Sequence, residues 1–468
     1  MPQTRAMTTK AAFETVAAIS TPPGKGGVAV IRMSGERALA IASACFRPRS
    51  GASLPSLPDR TAVYGDILSG GEEIDDGILT LFRAPHSYTG EDTVEISCHG
   101  GLLVQARVLE GLYRAGAVPA PAGEFTRRAY LSGRISLSDA EAIGALINAE
   151  SDGELRISSR RSRSRFAARM QELCDRLLQA LAELNALLDY PDEEPTDTTA
   201  QGFATCFERL CHEIGALSHS YETGRAVTSG ISAVIVGKPN VGKSSVYNRL
   251  VGEDAAIVTR VAGTTRDVLE RRIQLGRVVL ELADTAGIRG TEDPVERIGV
   301  ARSRERLANA ELILAVLDRS RALDGEDLQI LDDVQKAGGT PVLLLNKCDL
   351  PAAWERDALP SGLVHVLECS AETGAGLQEL APLVDSLFTD LALELGESAI
   401  VTTARQRAAL ADAERELGEA VQALRLGLPY DIAAAAAEAG LRALFRVEGR
   451  EVAEELADTI FRSFCVGK

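Results

Sequence analysis

The residues Gly237-Lys238-Pro239-Asn240-Val241-Gly242-Lys243-Ser244 read G-x-x-x-x-G-K-S, and that spacing suits the cradling of a polyphosphate. Gly237 and Gly242 let successive main-chain N–H groups curl round anionic oxygens. A helix starting directly after them adds the positive end of its dipole. Lys243 is placed to reach the β- and γ-phosphates, and the Ser244 hydroxyl to take one position on Mg²⁺. Asn240, Val241 and Ser245 complete the group expected to line the phosphates. The flanks agree with this chemistry. Ile231–Val236 is a short β-branched apolar run that predicts a strand, and Ser245–Leu250 (SVYNRL) predicts the start of a helix.

Further strings follow in order. Asp284-Thr285-Ala286-Gly287 closes the apolar run Val278–Leu282. A carboxylate at that strand end can hold a metal through water, and the Gly287 N–H can face the γ-phosphate. Asn346-Lys347-Cys348-Asp349 closes the run Val342–Leu345. Asp349 can accept hydrogen bonds from guanine N1–H and its 2-amino group. Adenine lacks that pattern and would leave the carboxylate unpaired. Ser370-Ala371 follows the run Val364–Leu367 and would close over the base. The N-K-x-D string resembles the guanine-specificity element of the GTPase superfamily, so the ordered set predicts GTP binding.

At 468 residues the chain has room for two to four domains with real cores. No apolar run reaches the ~18 residues of a membrane span. The first residues, MPQTRAMTTKAAFE, lack the apolar core of a signal peptide. The expected location is therefore cytoplasmic. Eight cysteines without a C-x-x-C pair read as reduced thiols, and five dispersed histidines suggest no metal cluster. A net charge of −17 opposes indiscriminate nucleic-acid binding, which needs clustered cations. The cations do cluster at Arg156, Arg160, Arg161, Arg163, Arg165 and Arg169; there a solvated helix face is the stronger reading and a phosphate-binding patch the weaker.

Residues 15–98 alternate short apolar runs, Val16–Ile19, Val28–Met33, Ile78–Phe82 and Thr93–Ser97, with turn signals. Helical segments are expected at Glu36–Cys45 and Gly101–Ala115, which together predict a small α+β domain. Thr21–Gly27 (TPPGKGG) lacks the G-K-S/T ending and reads as a strand-to-strand turn. From Ser138 apolar residues recur at helical spacing through Ala140–Ile147 and Phe166–Leu188, resuming at Phe203–Gly224 and again at Thr403–Leu424. The acidic LLDYPDEEPTD, Leu187–Asp197, reads as an exposed interhelix loop in preference to an acid/base site. Helices on both sides of a compact nucleotide unit predict an inserted domain. The expected class is multidomain α/β: an N-terminal α+β domain, a helical domain, and an inserted P-loop domain with a doubly wound sheet. The expected boundaries are 1–132, 133–229 with 388–468 for the interrupted helical domain, and 230–387.

These strings, with IRMSG, SYTGEDTVEISCHGG, PAGEFTRRAYLSGR, YPDEE, VAGTTRDV, DTAGIR, VERIGV and the terminal FCVGK, resemble the MnmE (TrmE) family of tRNA-modification GTPases over essentially the whole chain. The resemblance implies an N-terminal dimerisation domain that binds a tetrahydrofolate derivative, the 5-formyl or methylene form. It implies a homodimer working with the flavoprotein MnmG in a heterotetramer, and GTP hydrolysis coupled to a carboxymethylaminomethyl or aminomethyl group at C5 of the wobble uridine of certain tRNAs. Carried onto this sequence, Asn240, Thr259, Val261 and Thr264 would hold K⁺, and Thr265 with Ser244 would hold Mg²⁺. Glu296 would orient the attacking water; consistently, the residue after Gly287 is Ile288, which cannot do so. A monovalent cation beside the β–γ bridge can neutralise developing charge as an arginine finger would. Arg32, Glu95 and Lys468 match the folate site. Arg134 stands where the family usually has lysine, so its charge is kept with a different geometry. The family's terminal motif more often reads C-I-G-K; here it is Cys465-Val466-Gly467-Lys468. Cys465 is open to two readings, a chemical group in the modification reaction or a packing residue. Other classes remain as rivals: a ribosome-assembly GTPase switch, or a folate-responsive regulatory GTPase.

Overall fold

The computed structural model describes residues 14–149, 151–189, 200–252, 271–282, 307–389, 399–450, 460–462, 464, 466 and 467. It divides into two compact units, one drawn from residues 1–144 and 448–468 and the other from 145–447.

In the first unit the expected alternation becomes a sheet. Its strands are β1 (Val16–Ile19), β2 (Val28–Ser34), β3 (Phe46–Pro48), β4 (Thr61–Ser69), β5 (Glu72–Phe82), β6 (Thr93–His99) and β7 (Val118–Pro119). They lie in the order β3-β4-β5-β6-β2-β1-β7, antiparallel throughout except for the parallel β1–β7 pair. The period of two sends Ala29, Ile31 and Met33 of β2 and Val94, Ile96 and Cys98 of β6 to one face. There they meet Ile41 of α1 (Ala38–Cys45) and Val108 and Leu112 of α2 (Leu102–Arg114) in one core. The interleaved positions, Arg32 and Glu95 among them, fall on the other face and are register partners. The glycine-rich stretch after β1 does form the turn between β1 and β2, with Gly26 N–H donating to the Gly100 carbonyl at 3.1 Å. Two further helices, α3 (Glu124–Leu131) and α4 (Leu137–Asn148), follow. Phe461 is buried against Leu137 and Ala140 and stacks obliquely with Tyr130 and Phe464, at 5.9 and 5.8 Å between centroids. The late residues thereby join this unit, and Val466 forms an antiparallel bridge with Ala122.

The second unit begins with α5 (Asp152–Ile157), α6 (Arg160–Asp189) and α7 (Ala200–Thr228). A sheet follows, built from β8 (Ile231–Val236), β9 (Arg271–Leu275), β10 (Val278–Leu282), β11 (Leu312–Asp318), β12 (Thr340–Asn346) and β13 (His365–Glu368) in the order β13-β12-β11-β8-β10-β9. Every pairing is parallel except β10–β9. All seven residues of β11 are buried, as a central parallel strand covered on both faces requires. One face packs on α8 (Lys243–Gly252) and α10 (Leu380–Phe388) through Val246, Leu380 and Val384; the other packs on α9 (Gly325–Lys336) through Leu331 and Val334. The chain then returns to helix in α11 (Ala404–Arg425) and α12 (Tyr430–Glu448). α6, α7, α11 and α12 share one core that includes Leu173, Leu177, Phe207, Leu210, Leu417 and Leu444. Each such buried side chain contributes about 1.5–3 kcal/mol of apolar transfer. Arg169 and Arg176 of α6 both bind Glu213 of α7, at 2.8 and 2.6 Å, so the last cation of the arginine cluster is engaged in a helix–helix ion pair. The nucleotide-type sheet is gripped at its base: Arg225 near the end of α7 pairs with Glu311, whose carboxylate also accepts the Ser232 N–H at 3.1 Å.

Candidate functional site

β8 ends at Val236, and the loop that follows crosses the carboxyl ends of the central strands, the usual ligand crevice of an open α/β sheet. Two of its positions cannot carry a side chain. Gly237 has φ +147°, and a Cβ there would lie 2.4 Å from the Val316 carbonyl oxygen. Gly242 has φ +99°, and a Cβ there would lie 2.1 Å from Asn346 Nδ2. Asn240 between them is left-handed at φ 64°. Lys243 starts α8, and its ammonium folds back over the loop to donate to the carbonyls of Gly237 and Lys238, at 2.8 and 2.7 Å. Burial pushes that ammonium below its usual range. A lysine taken out of water and held, among the described residues, by carbonyls is a strong receptor for an anion, since phosphate oxygens would restore the lost stabilisation of its charge. Ser244 and Ser245 occupy the next positions of the same helix.

Asn346 ends β12, is buried, and braces two loops at once: its Nδ2 donates to the Val241 carbonyl at 2.8 Å and its Oδ1 accepts from Ala371 N–H at 2.9 Å. It thus acts on the phosphate loop as well as beside the base strings. Ser370 is fully buried, and its hydroxyl accepts from Thr373 N–H at 3.2 Å. Arg249 of α8 donates to the Ala371 and Glu372 carbonyls at 3.1 and 2.8 Å, fastening the same loop. Lys347 is left-handed at φ 64°, and its ammonium lies 2.6 Å from Asp318 at the end of β11. Burial alone would raise the Asp318 carboxyl, but hydrogen bonds from Lys347 and Ser320 outweigh it and hold it below the usual range. Asp349 is exposed and has no partner among the described residues, leaving its carboxylate open to a base edge. Sequence reasoning missed Asp318 and Arg249. The available signal for Asp318 was an apolar run, LILAVLD, closing on a carboxylate.

In the first unit Arg32 and Glu95 face each other across β2 and β6, joined at 2.8 Å. The guanidinium also sits over the rings of Tyr88 and Phe125, at 5.5 and 5.6 Å. Only Oε1 of Glu95 is engaged among the described contacts, so a carboxylate oxygen and two aromatic rings stand beside a fixed cation. That set fits an aminopyrimidine ring, which needs an acceptor for its N–H edge and a flat apolar surface; Phe125 is fully buried, so the surface would come from the partly exposed Tyr88. Arg134 is exposed and donates to the Pro85 carbonyl at 2.6 Å, so it is tied to the loop that carries Tyr88. The tail reaches the same sheet: Gly467 O accepts from Ser20 Oγ at 2.9 Å, one residue beyond β1. Thr259, Val261, Thr264, Thr265, Asp284, Thr285, Ala286, Gly287, Glu296, Cys465 and Lys468 lie outside the described residues.

A family model described as the GTP-binding protein TrmE N-terminus matches residues 15–134, and one for the MnmE helical domain matches residues 137–465. The second spans well over half of the chain. It belongs to the MnmE family. Curated members resemble it from end to end. The tRNA modification GTPase MnmE of Symbiobacterium thermophilum is 42% identical over 97% of this chain and 99% of its own length. The proteins of the same name from Clostridioides difficile and Thermotoga maritima are each 38% identical over 97% of this chain, covering 99% and 100% of their own lengths. The MnmE fold is the one described above: a TrmE-type N-terminal unit, helices, and a P-loop sheet between them.

Proposed function

We propose that this chain is a GTP hydrolase, activated by potassium, that drives tRNA modification: with the flavoprotein MnmG it installs the carboxymethylaminomethyl or aminomethyl group at C5 of the wobble uridine. The observation that carries the reading is the pairing of a Lys243-centred phosphate loop with full-length similarity to proteins named tRNA modification GTPase. In this reading the loop N–H groups and Lys243 bind the phosphates of GTP, Asp349 reads the guanine edge, and Ser370 and Ala371 close the base pocket. Thr285, Ala286 and Gly287 follow Asp284 along the γ-phosphate side. Ser244 and Thr265 would hold Mg²⁺, and Asn240, Thr259, Val261 and Thr264 would hold K⁺; together the ions supply positive charge against the charge that builds on the bridging oxygen. Glu296 orients water.

Arg32, Glu95, Arg134 and Lys468 bind a tetrahydrofolate derivative, which supplies a one-carbon unit when bound. Cys465 stands near that ligand. The chain works as a cytoplasmic homodimer, with domains at 1–132, 133–229, 230–387 and 388–468. Among the described residues no helix is long and apolar enough to cross a membrane. The deciding experiment is mass spectrometry of tRNA nucleosides from a deletion strain, paired with GTP turnover of the purified chain in potassium and in sodium. Loss of the wobble modification with potassium-dependent turnover supports the reading. A wobble nucleoside pattern in the deletion strain identical to that of wild type, or equal rates in both salts, would refute the corresponding half of it.

A further inference from the structure

The two loops just described are joined by charge as well as by Asn346. We infer that Arg321, with the buried carboxylates Asp318 and Asp327, forms a positioning relay that holds Lys347 of the base loop and Lys238 of the phosphate loop in fixed relation and thereby sets nucleotide affinity. The inference rests on the reading of this site as a guanine-nucleotide site.

Asp318 and Asp327 have side chains only 6% and 1% exposed. A carboxylate removed from water to that degree needs cations or several donors around it. Asp327 takes part in the capping box of α9, where its side chain accepts from Asp324 N–H at 3.2 Å. Its cationic neighbours are Arg321, whose Nη2 is 3.1 Å away, and Lys238, at 3.9 Å. Asp318 likewise has two cations, Lys347 at 2.6 Å and Arg321 Nε at 3.8 Å. Each buried carboxylate is therefore shared between one loop lysine and the same guanidinium. Asp324 extends the relay: it binds the Lys238 ammonium directly and lies 3.3 Å from Arg321 Nη1. Signs alternate from end to end, Lys238, Asp324 and Asp327, Arg321, Asp318, Lys347. Arg321 serves three carboxylates through the separate nitrogens of its planar fork, Nε toward Asp318, Nη1 toward Asp324 and Nη2 toward Asp327. The left-handed backbone at Lys347 is held by the Asp318 contact together with two backbone bonds, Cys348 N–H to the Cys369 carbonyl at 3.1 Å and Leu350 N–H to the Lys347 carbonyl at 3.0 Å.

Neither Arg321 nor Asp318 belongs to the phosphate, metal or base-reading residues assigned above, so their removal should alter affinity and leave the chemical step alone. The test uses the full-length chain with fluorescent GDP, unlabelled GDP and IDP, and steady-state GTP turnover. Arg321→Gln is expected to speed GDP dissociation and raise the KM for GTP about tenfold, equivalent to roughly one decade of affinity, with kcat within about twofold. Arg321→Lys, which keeps the charge and loses the fork, should fall between it and wild type. Asp318→Asn is isosteric and serves as the independent variant; it should act in the same direction. GDP and IDP should weaken by the same factor, because the 2-amino contact of Asp349 is untouched. If both variants release GDP at the wild-type rate while their thermal midpoints fall, the carboxylates serve only the fold and the inference is overturned. It is overturned too if discrimination between GDP and IDP collapses, which would indicate general disorder of the base loop. Wild-type chain that binds no guanine nucleotide at all would instead refute the reading of the site.

Discussion

The nucleotide loops and the Arg32–Glu95 face place their polar groups by opposite means. In the first, almost everything is decided within a few residues of a strand end: Gly237 and Gly242 shape one loop, and Lys243 at the start of α8 folds back onto its carbonyls. In the second, each group comes from a different strand, loop or tail. Arg32 and Glu95 are cross-strand partners 63 residues apart, and Gly467 meets Ser20 across 447 residues. A backbone-made site tolerates change in most side chains and little change at its glycines. A side-chain-made site tolerates backbone variation and depends on a few charged atoms.

The sharpest way to test that difference is to cut the tail. Deleting Cys465–Lys468 should remove tRNA modification below detection while GTP turnover stays within about twofold of wild type. Nucleoside mass spectrometry and phosphate release on the same preparation decide it; equal loss of both activities would erase the distinction between the regions. Next in size is Gly242→Ala. A methyl group 2.1 Å from Asn346 Nδ2, on a residue at φ +99°, forces the loop and its brace apart. GDP affinity should fall about 10²-fold or more, a loss near 3 kcal/mol, with folate binding by calorimetry unchanged. Glu95→Gln keeps shape and removes charge. It should weaken a tetrahydrofolate ligand by about tenfold, as expected for losing a charged hydrogen bond, and leave the GDP titration as it was. A matching loss of GDP affinity would mean that the two regions are energetically one.

The smallest effect concerns His99, the last residue of the interior strand β6, and Asp75 of the neighbouring β5. The Asp75 carboxylate, 2.8 Å from Nδ1, raises the His99 pKa above its ordinary 6.5. The folded state therefore holds the proton more tightly than the unfolded chain. The stabilisation is complete below pH 6.5 and fades as pH rises through the raised value. Because the imidazole is exposed, the amplitude should be small. NMR titration of the His99 ring in wild type and in Asp75→Asn measures it. An unchanged titration midpoint in the variant would rule out Asp75 as the cause.

Much of the nucleotide region could be read before any coordinates. The runs Ile231–Val236 and Val278–Leu282 coincide with β8 and β10, because buried parallel strands write themselves as nearly continuous apolar runs, broken here only by Ser232 and Glu281. β11 went unread for the same reason. LILAVLD, without a recognised string at its end, fits a buried helix segment as well as a strand, and Asp318 was lost with it. β4 escaped because Tyr64 and Gly65 interrupt its pattern and two of its residues, Ala62 and Tyr64, are exposed. The Arg32–Glu95 pairing is a register fact, invisible without knowing that β6 lies beside β2 and that β1 lies on β2's other side. The reach of Val466 and Gly467 is a still longer one. Periodicity places the late helices, but nothing local in FCVGK indicates that Val466 will pair with Ala122.

That last bridge has a bearing on how the molecule is made. Domains tend to fold as they leave the ribosome, the N-terminal one first. Here the partner of Ala122 and the acceptor for Ser20 are among the last described residues to emerge. Until then the edge of the first sheet beside Ala122 and Ser20 waits with those groups open. The chain must translate the whole second unit before its first can be sealed, so completion of the N-terminal fold reports that synthesis has run through to Val466 and Gly467.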